Sequence, residues 1–78
     1  MNNSQQMLEA LEQQDLSKAE SFFEKALKED SDEVLLELAA YLEGIGFFPQ
    51  AAQIYEKLAP KFPEVYINLA AIAGEDGL

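Results

Sequence analysis

The sequence reads as an all-α fold of five short helices paired into antiparallel hairpins. Three observations carry this. Apolar residues recur at i, i+3, i+4 spacing, and no stretch sustains the two-residue alternation of a strand. Proline and glycine fall between the periodic segments. A set of small, aromatic and turn residues returns in phase after 32 positions.

The elements follow in chain order. Residues 4–14 carry Met7, Leu8 and Leu11 and form a short amphipathic helix. Ser17-Lys18-Ala19-Glu20 has the S-x-x-E pattern of a capping box, so Ser17 is expected to cap the second helix. Behind it Ala19, Phe22, Phe23, Ala26 and Leu27 share one helical face, and the helix is expected to end near Glu29 or Asp30. A third helix fits 32–44, opened by Asp30 or Ser31 and followed by a turn at Gly44 and Gly46. A fourth starts at Pro49, suited to a first helical turn, and runs to about Ala59, where Pro60 stops it. A fifth starts after Pro63 and runs to about Ala73, with Gly74 and Gly77 beyond it.

The 78 residues allow one small domain. A chain of that size buries only about 60–65% of its unfolded surface. With neither cysteine nor histidine, no disulfide or thiolate–metal cluster supplements the core, and helix packing must supply the stability.

The repeat is visible when Gln14–Leu27 is laid on Gly46–Ala59. Ala19 falls on Ala51, Phe23 on Tyr55 and Lys25 on Lys57. Leu38-Ala39-Ala40 then falls on Leu69-Ala70-Ala71, and Gly46 on Gly77, at a step of 31. A small residue early in the second helix of a pair permits close approach, an aromatic four positions on fills the space beside it, and the turn needs a permissive backbone. The units are about 1–31, 32–63 and a partial 64–78.

These residues resemble the tetratricopeptide repeat. The marks are Ala19, Phe23 and Ala26 in the first unit; Leu38, Ala39, Gly46, Phe48, Ala51, Tyr55 and Pro63 in the second; and Leu69, Ala70 and Gly77 in the third. The chain departs from the family pattern at Gln14 (turn glycine), Ser31 (closing proline) and Leu58 (alanine), and its units are two or three residues short. The resemblance implies a right-handed α-solenoid whose first helices line a concave protein-binding groove. Solenoids normally close with a polar capping helix and the fifth helix is apolar, so the chain is expected to be the N-terminal piece of a longer, bacterial-type repeat protein. Some members grip an acidic tail with cationic and amide side chains on the groove. The matching positions here are Ser4, Leu8, Glu37, Ala40, Glu64 and Asn68, where only Asn68 is suited, so that ligand is not expected.

The net charge is −10, and it is unevenly placed. The first helices of the units hold nine acids and no lysine, while all five lysines lie on or just beyond the second helices. Acids at helix starts complement the dipole, which accounts for Asp32, Glu33 and Glu64 but not for Glu37 and Glu43. An acidic groove is therefore expected, with Leu36, Glu37, Glu43, Ile67 and Asn68 facing it and a basic or apolar-basic segment of a partner protein as its ligand.

Such a charge disfavours nucleic acid and anionic membrane surfaces. Without His, Cys or Arg the usual bases, thiolates and guanidinium clamps are missing, so no catalytic site and no cofactor is expected. The acidic run Glu29–Glu33 lacks the glycine and spacing of a calcium loop and reads as a helix end followed by a cap, so no metal site is expected. The polar start and the lack of cysteine point to the cytoplasm. Two other functions fit the pattern: self-assembly of a repeat stack with no groove ligand, and chaperoning an apolar helix of a client. The fifth helix has one polar residue, Asn68, between Val65 and Ala73. Tyr66, Leu69 and Ile72 are expected at a contact there, as in a homodimer, or in the core beside it.

Overall fold

A computed structural model describes residues 1–76. Among them are five α-helices and no strand: α1 Asn3–Glu12, α2 Leu16–Glu29, α3 Asp32–Gly44, α4 Phe48–Leu58 and α5 Val65–Asp76. Gly77, the residue matched to Gly46, lies outside the described residues. The chain divides into two compact units, Met1–Leu35 and Leu36–Leu78.

In the first unit α1 and α2 pack as a hairpin. Asn2 and Gln5 form a capping box, with the Gln5 N–H donating to Asn2 Oδ1 at 2.8 Å and the Asn2 N–H to Gln5 Oε1 at 3.1 Å. α1 buries Ser4, Met7 and Ala10 against the buried Ala19, Phe23 and Ala26 of α2. The turn is a Schellman motif: the Gln14 N–H donates to Leu11 O at 3.0 Å and the Asp15 N–H to Ala10 O at 2.9 Å. Gln14 takes φ 60, in the left-handed region.

The cap of α2 is Asp15, whose Oδ1 accepts the Lys18 N–H at 3.1 Å, and not Ser17 as the S-x-x-E pattern implied. The chain leaves the turn at Asp15 (φ −96, ψ 84), so Ser17 is already inside the helix and exposed, where its hydroxyl cannot stand at the cap position.

The far end of this hairpin is closed by Asp30. Its Oδ2 accepts the Ser4 N–H at 2.8 Å and Ser4 Oγ–H at 2.7 Å, and its Oδ1 accepts from Asn3 Nδ2 at 3.1 Å. Partial burial pushes this carboxyl up. The bonds from Ser4 and Asn3 outweigh that and hold it below its ordinary value. Ser31 then caps α3, its Oγ accepting the Val34 N–H at 3.3 Å. The acidic run is thus a helix end followed by caps.

The second unit buries Leu38, Ala39 and Leu42 of α3 with Ala51, Ile54, Tyr55 and Leu58 of α4 and with Val65 and Ile72 of α5. The α3–α4 turn repeats the first one bond for bond at a step of 32, with the Gly46 N–H donating to Glu43 O at 3.2 Å and the Phe47 N–H to Leu42 O at 2.8 Å. Gly46 takes φ 86. The step also holds where α2 and α4 end: the Asp30 N–H donates to Ala26 O at 3.0 Å, and the Phe62 N–H to Leu58 O at 2.8 Å.

α4 begins with proline in its first turn, as its position suggested. α5 continues through Gly74, expected to lie beyond its end, and reaches Asp76. A glycine within an exposed helical turn costs about 1 kcal/mol against alanine, which weakens a helix without terminating it. Leu38 and Ala39 are buried in α3, whereas Leu69 and Ala70, matched to them in the repeat, are half-buried and exposed.

Candidate functional site

The chemistry of the second unit concentrates where α3 ends. Glu43 is half-buried there, one residue before the end of the helix. Its Oε1 accepts Tyr55 Oη–H from α4 at 3.0 Å and Asn68 Nδ2–H from α5 at 3.4 Å. Tyr55 lies four residues after Ala51 and is only 2% exposed, so its ring fills the core while its hydroxyl must find a partner there. Burial, then the hydrogen bond to Glu43 and that carboxylate's charge, push the Tyr55 phenol up to about 12.

Beside this cluster lies an open depression of about 740 Å³, lined by Ala40, Glu43, Gly44, Ile45, Gly46, Phe48, Ala71 and Glu75. Ala40 and Ala71 are small and exposed, which leaves room between α3 and α5. Ile45 and Phe48 add apolar surface, Glu43 and Glu75 add carboxylates, and the lining has no lysine.

Of the residues singled out from sequence, Glu43 and Asn68 are in direct contact. Leu36 and Glu37 sit four and three residues before Ala40, one helical turn from the depression; Leu36 is half-buried and Glu37 exposed. Ile67 sits four residues before Ala71 and is 75% exposed. The three residues expected at a contact or in the core beside it divide: Ile72 is core, Leu69 half-buried and Tyr66 exposed.

Sequence reading passed over Tyr55 as a donor, because its place in the repeat already explained an aromatic. It also missed Ile45, Phe48 and Glu75 as lining residues. Glu75 was within reach, being four residues beyond Ala71 and eight beyond Ile67 on one face.

Among the described residues, no helix is long and apolar enough to cross a membrane. Comparison with known protein families, with curated proteins and with solved structures finds no match.

Proposed function

We propose that the chain is a non-catalytic protein-interaction scaffold of the tetratricopeptide type, a right-handed solenoid that binds a basic or apolar-basic segment of a partner protein. The repeat assignment is supported by the two turns, whose backbone bonds recur at a step of 32. One observation carries the functional reading: the α3–α5 depression combines small and apolar lining with Glu43 and Glu75 and has no cation of its own. A segment pairing lysine or arginine with leucine or alanine matches both features. A cytoplasmic setting fits the cysteine-free sequence.

The test is a titration of the 15N-labelled chain with a short lysine–leucine peptide, followed by amide chemical shifts. Shifts should concentrate at Ala40, Gly44–Gly46 and Ala71. Affinity should fall as ionic strength rises from about 0.05 to about 0.3 M. Reversing charge at the exposed Glu37 and Glu75 to lysine should abolish binding and leave the fold intact. Scattered shifts, or affinity independent of salt, would refute the reading.

Self-assembly remains a second reading because α5 leaves Tyr66 60% and Ile67 75% exposed, with Ala70 exposed beside them. Sedimentation across concentration decides it. A monomer at high concentration excludes it, and dissociation by Ile67→Lys supports it.

A further inference from the structure

We infer that Glu43 is the specificity-determining residue of this groove and that Tyr55 and Asn68 position it to select lysine over arginine in the bound segment. The inference rests on the reading of the depression as a site for a basic segment.

A carboxylate offers two oxygens, each with room for about two donors. Arginine gains its advantage over lysine by gripping both oxygens at once with two parallel N–H groups. At Glu43 that grip is obstructed. Tyr55 Oη–H at 3.0 Å and, more weakly, Asn68 Nδ2–H at 3.4 Å both donate to Oε1, from two different helices, so that oxygen is already engaged. Neither bonds Oε2, so the carboxylate presents a single oxygen to an incoming cation. An ammonium is a compact charge that one oxygen can satisfy. A guanidinium approaching the same oxygen leaves its second fork N–H facing an occupied acceptor, so it gains no second bond from Glu43.

Ala40, Gly44 and Ala71 leave the approach to Glu43 open, and Ile45 with the half-buried Phe48 offers apolar surface to the stem of a lysine and of an arginine alike, so the choice between them falls to Glu43. Tyr55 is buried and lies outside the lining, so its effect on a ligand passes through Glu43.

The experiment uses the full chain and two acetylated, amidated peptides, Ala-Leu-Lys-Leu-Ala and its arginine counterpart, with dissociation constants from amide shift titrations. The lysine peptide should bind about threefold tighter or more. In Tyr55→Phe with Asn68→Leu, Oε1 is released, and the arginine-to-lysine affinity ratio should move about fivefold toward arginine. Tyr55→Phe alone keeps the buried ring and should move it part of the way, which keeps the test alive if the double variant does not fold. Equal affinities, or tighter arginine binding, in the parent would overturn the selectivity and leave the groove reading standing. A lysine preference unchanged in folded variants would overturn the role given to Tyr55 and Asn68. Binding of neither peptide would overturn both this inference and the functional reading beneath it.

Discussion

At the turn between α1 and α2, Gln14 holds φ 60 and Asp15 caps the next helix with its carboxylate. At the turn between α3 and α4, Gly46 holds φ 86 and Phe47 stands at the cap position with no side-chain bond to give. The backbone bonds of the two turns are the same, and Asp15 (φ −96, ψ 84) and Phe47 (φ −85, ψ 64) leave them in similar conformations. The first turn bears the strain of a side chain in the left-handed region, about 1–2 kcal/mol, and offsets it with a cap worth about as much. The second has neither the strain nor the cap. Each turn therefore carries one favourable and one unfavourable residue. What the two share lies in the packing that follows, where Ala19 and Ala51, then Phe23 and Tyr55, are buried at matching positions.

That equivalence can be broken most forcefully in the core. Ala51→Leu and Ala19→Leu should each overpack the hairpin and cost about 1–3 kcal/mol, read as a lowered denaturant midpoint. A large loss at one site and none at the other would end the claim that the units are equivalent. The caps come next. Asp15→Ala should cost about 0.5–2 kcal/mol, while Ser17→Ala, outside the cap, should stay within about 0.5 kcal/mol of the parent. The turn residues should respond in opposite directions: Gly46→Ala should destabilise by about 1 kcal/mol and Gln14→Gly should stabilise by up to about 1 kcal/mol. If Gln14→Gly proves destabilising, the first turn is held by its side chain and the comparison fails there.

The effects of pH fall only at the extremes of the range, and they divide the units. The Asp30 carboxyl is held below its ordinary value of 3.8, so its contribution is present above that pH and is lost as pH falls through the lower folded value. The Tyr55 phenol is raised from 10.0 to about 12, so its contribution is complete below pH 10 and is lost as pH rises through about 12. Asp30→Asn should flatten the acid limb of a stability profile and Tyr55→Phe the alkaline limb, each leaving the other unchanged.

The helices and the turns were legible in the sequence because local signals agree there: apolar spacing for α2, a first-turn proline for α4, Ser31 ahead of α3. Ser17 misled because a four-residue pattern can be set anywhere in a window of a few residues, and only the geometry of the preceding turn decided that the helix starts at Leu16. Gly74 misled because glycine is permissive and does not require a break. Of the candidate site, Glu43 and Asn68 could be chosen from charge and repeat position. Their meeting with Tyr55 could not, because Tyr55 and Asn68 lie 12 and 25 positions from Glu43 and only the fold joins them. The Asp30 clamp on Ser4 was hidden for the same reason, across 26 positions.

That clamp has a consequence for hydrogen exchange. The amides of a first helical turn have no partner within the helix and normally exchange with solvent almost as fast as those of an unfolded chain. At Ser4 the donor is instead held by a carboxylate on the other helix, at the end of the hairpin remote from its connecting turn. Its exchange rate should therefore read out how often α1 lifts from the end of α2, a local opening that the interior amides of α1, kept by their own helical bonds, need not report. Slow exchange at Ser4 in the parent, and release to solvent rates in Asp30→Ala while Ala10 and Leu11 stay protected, would make this one amide a gauge of the N-terminal helix docking.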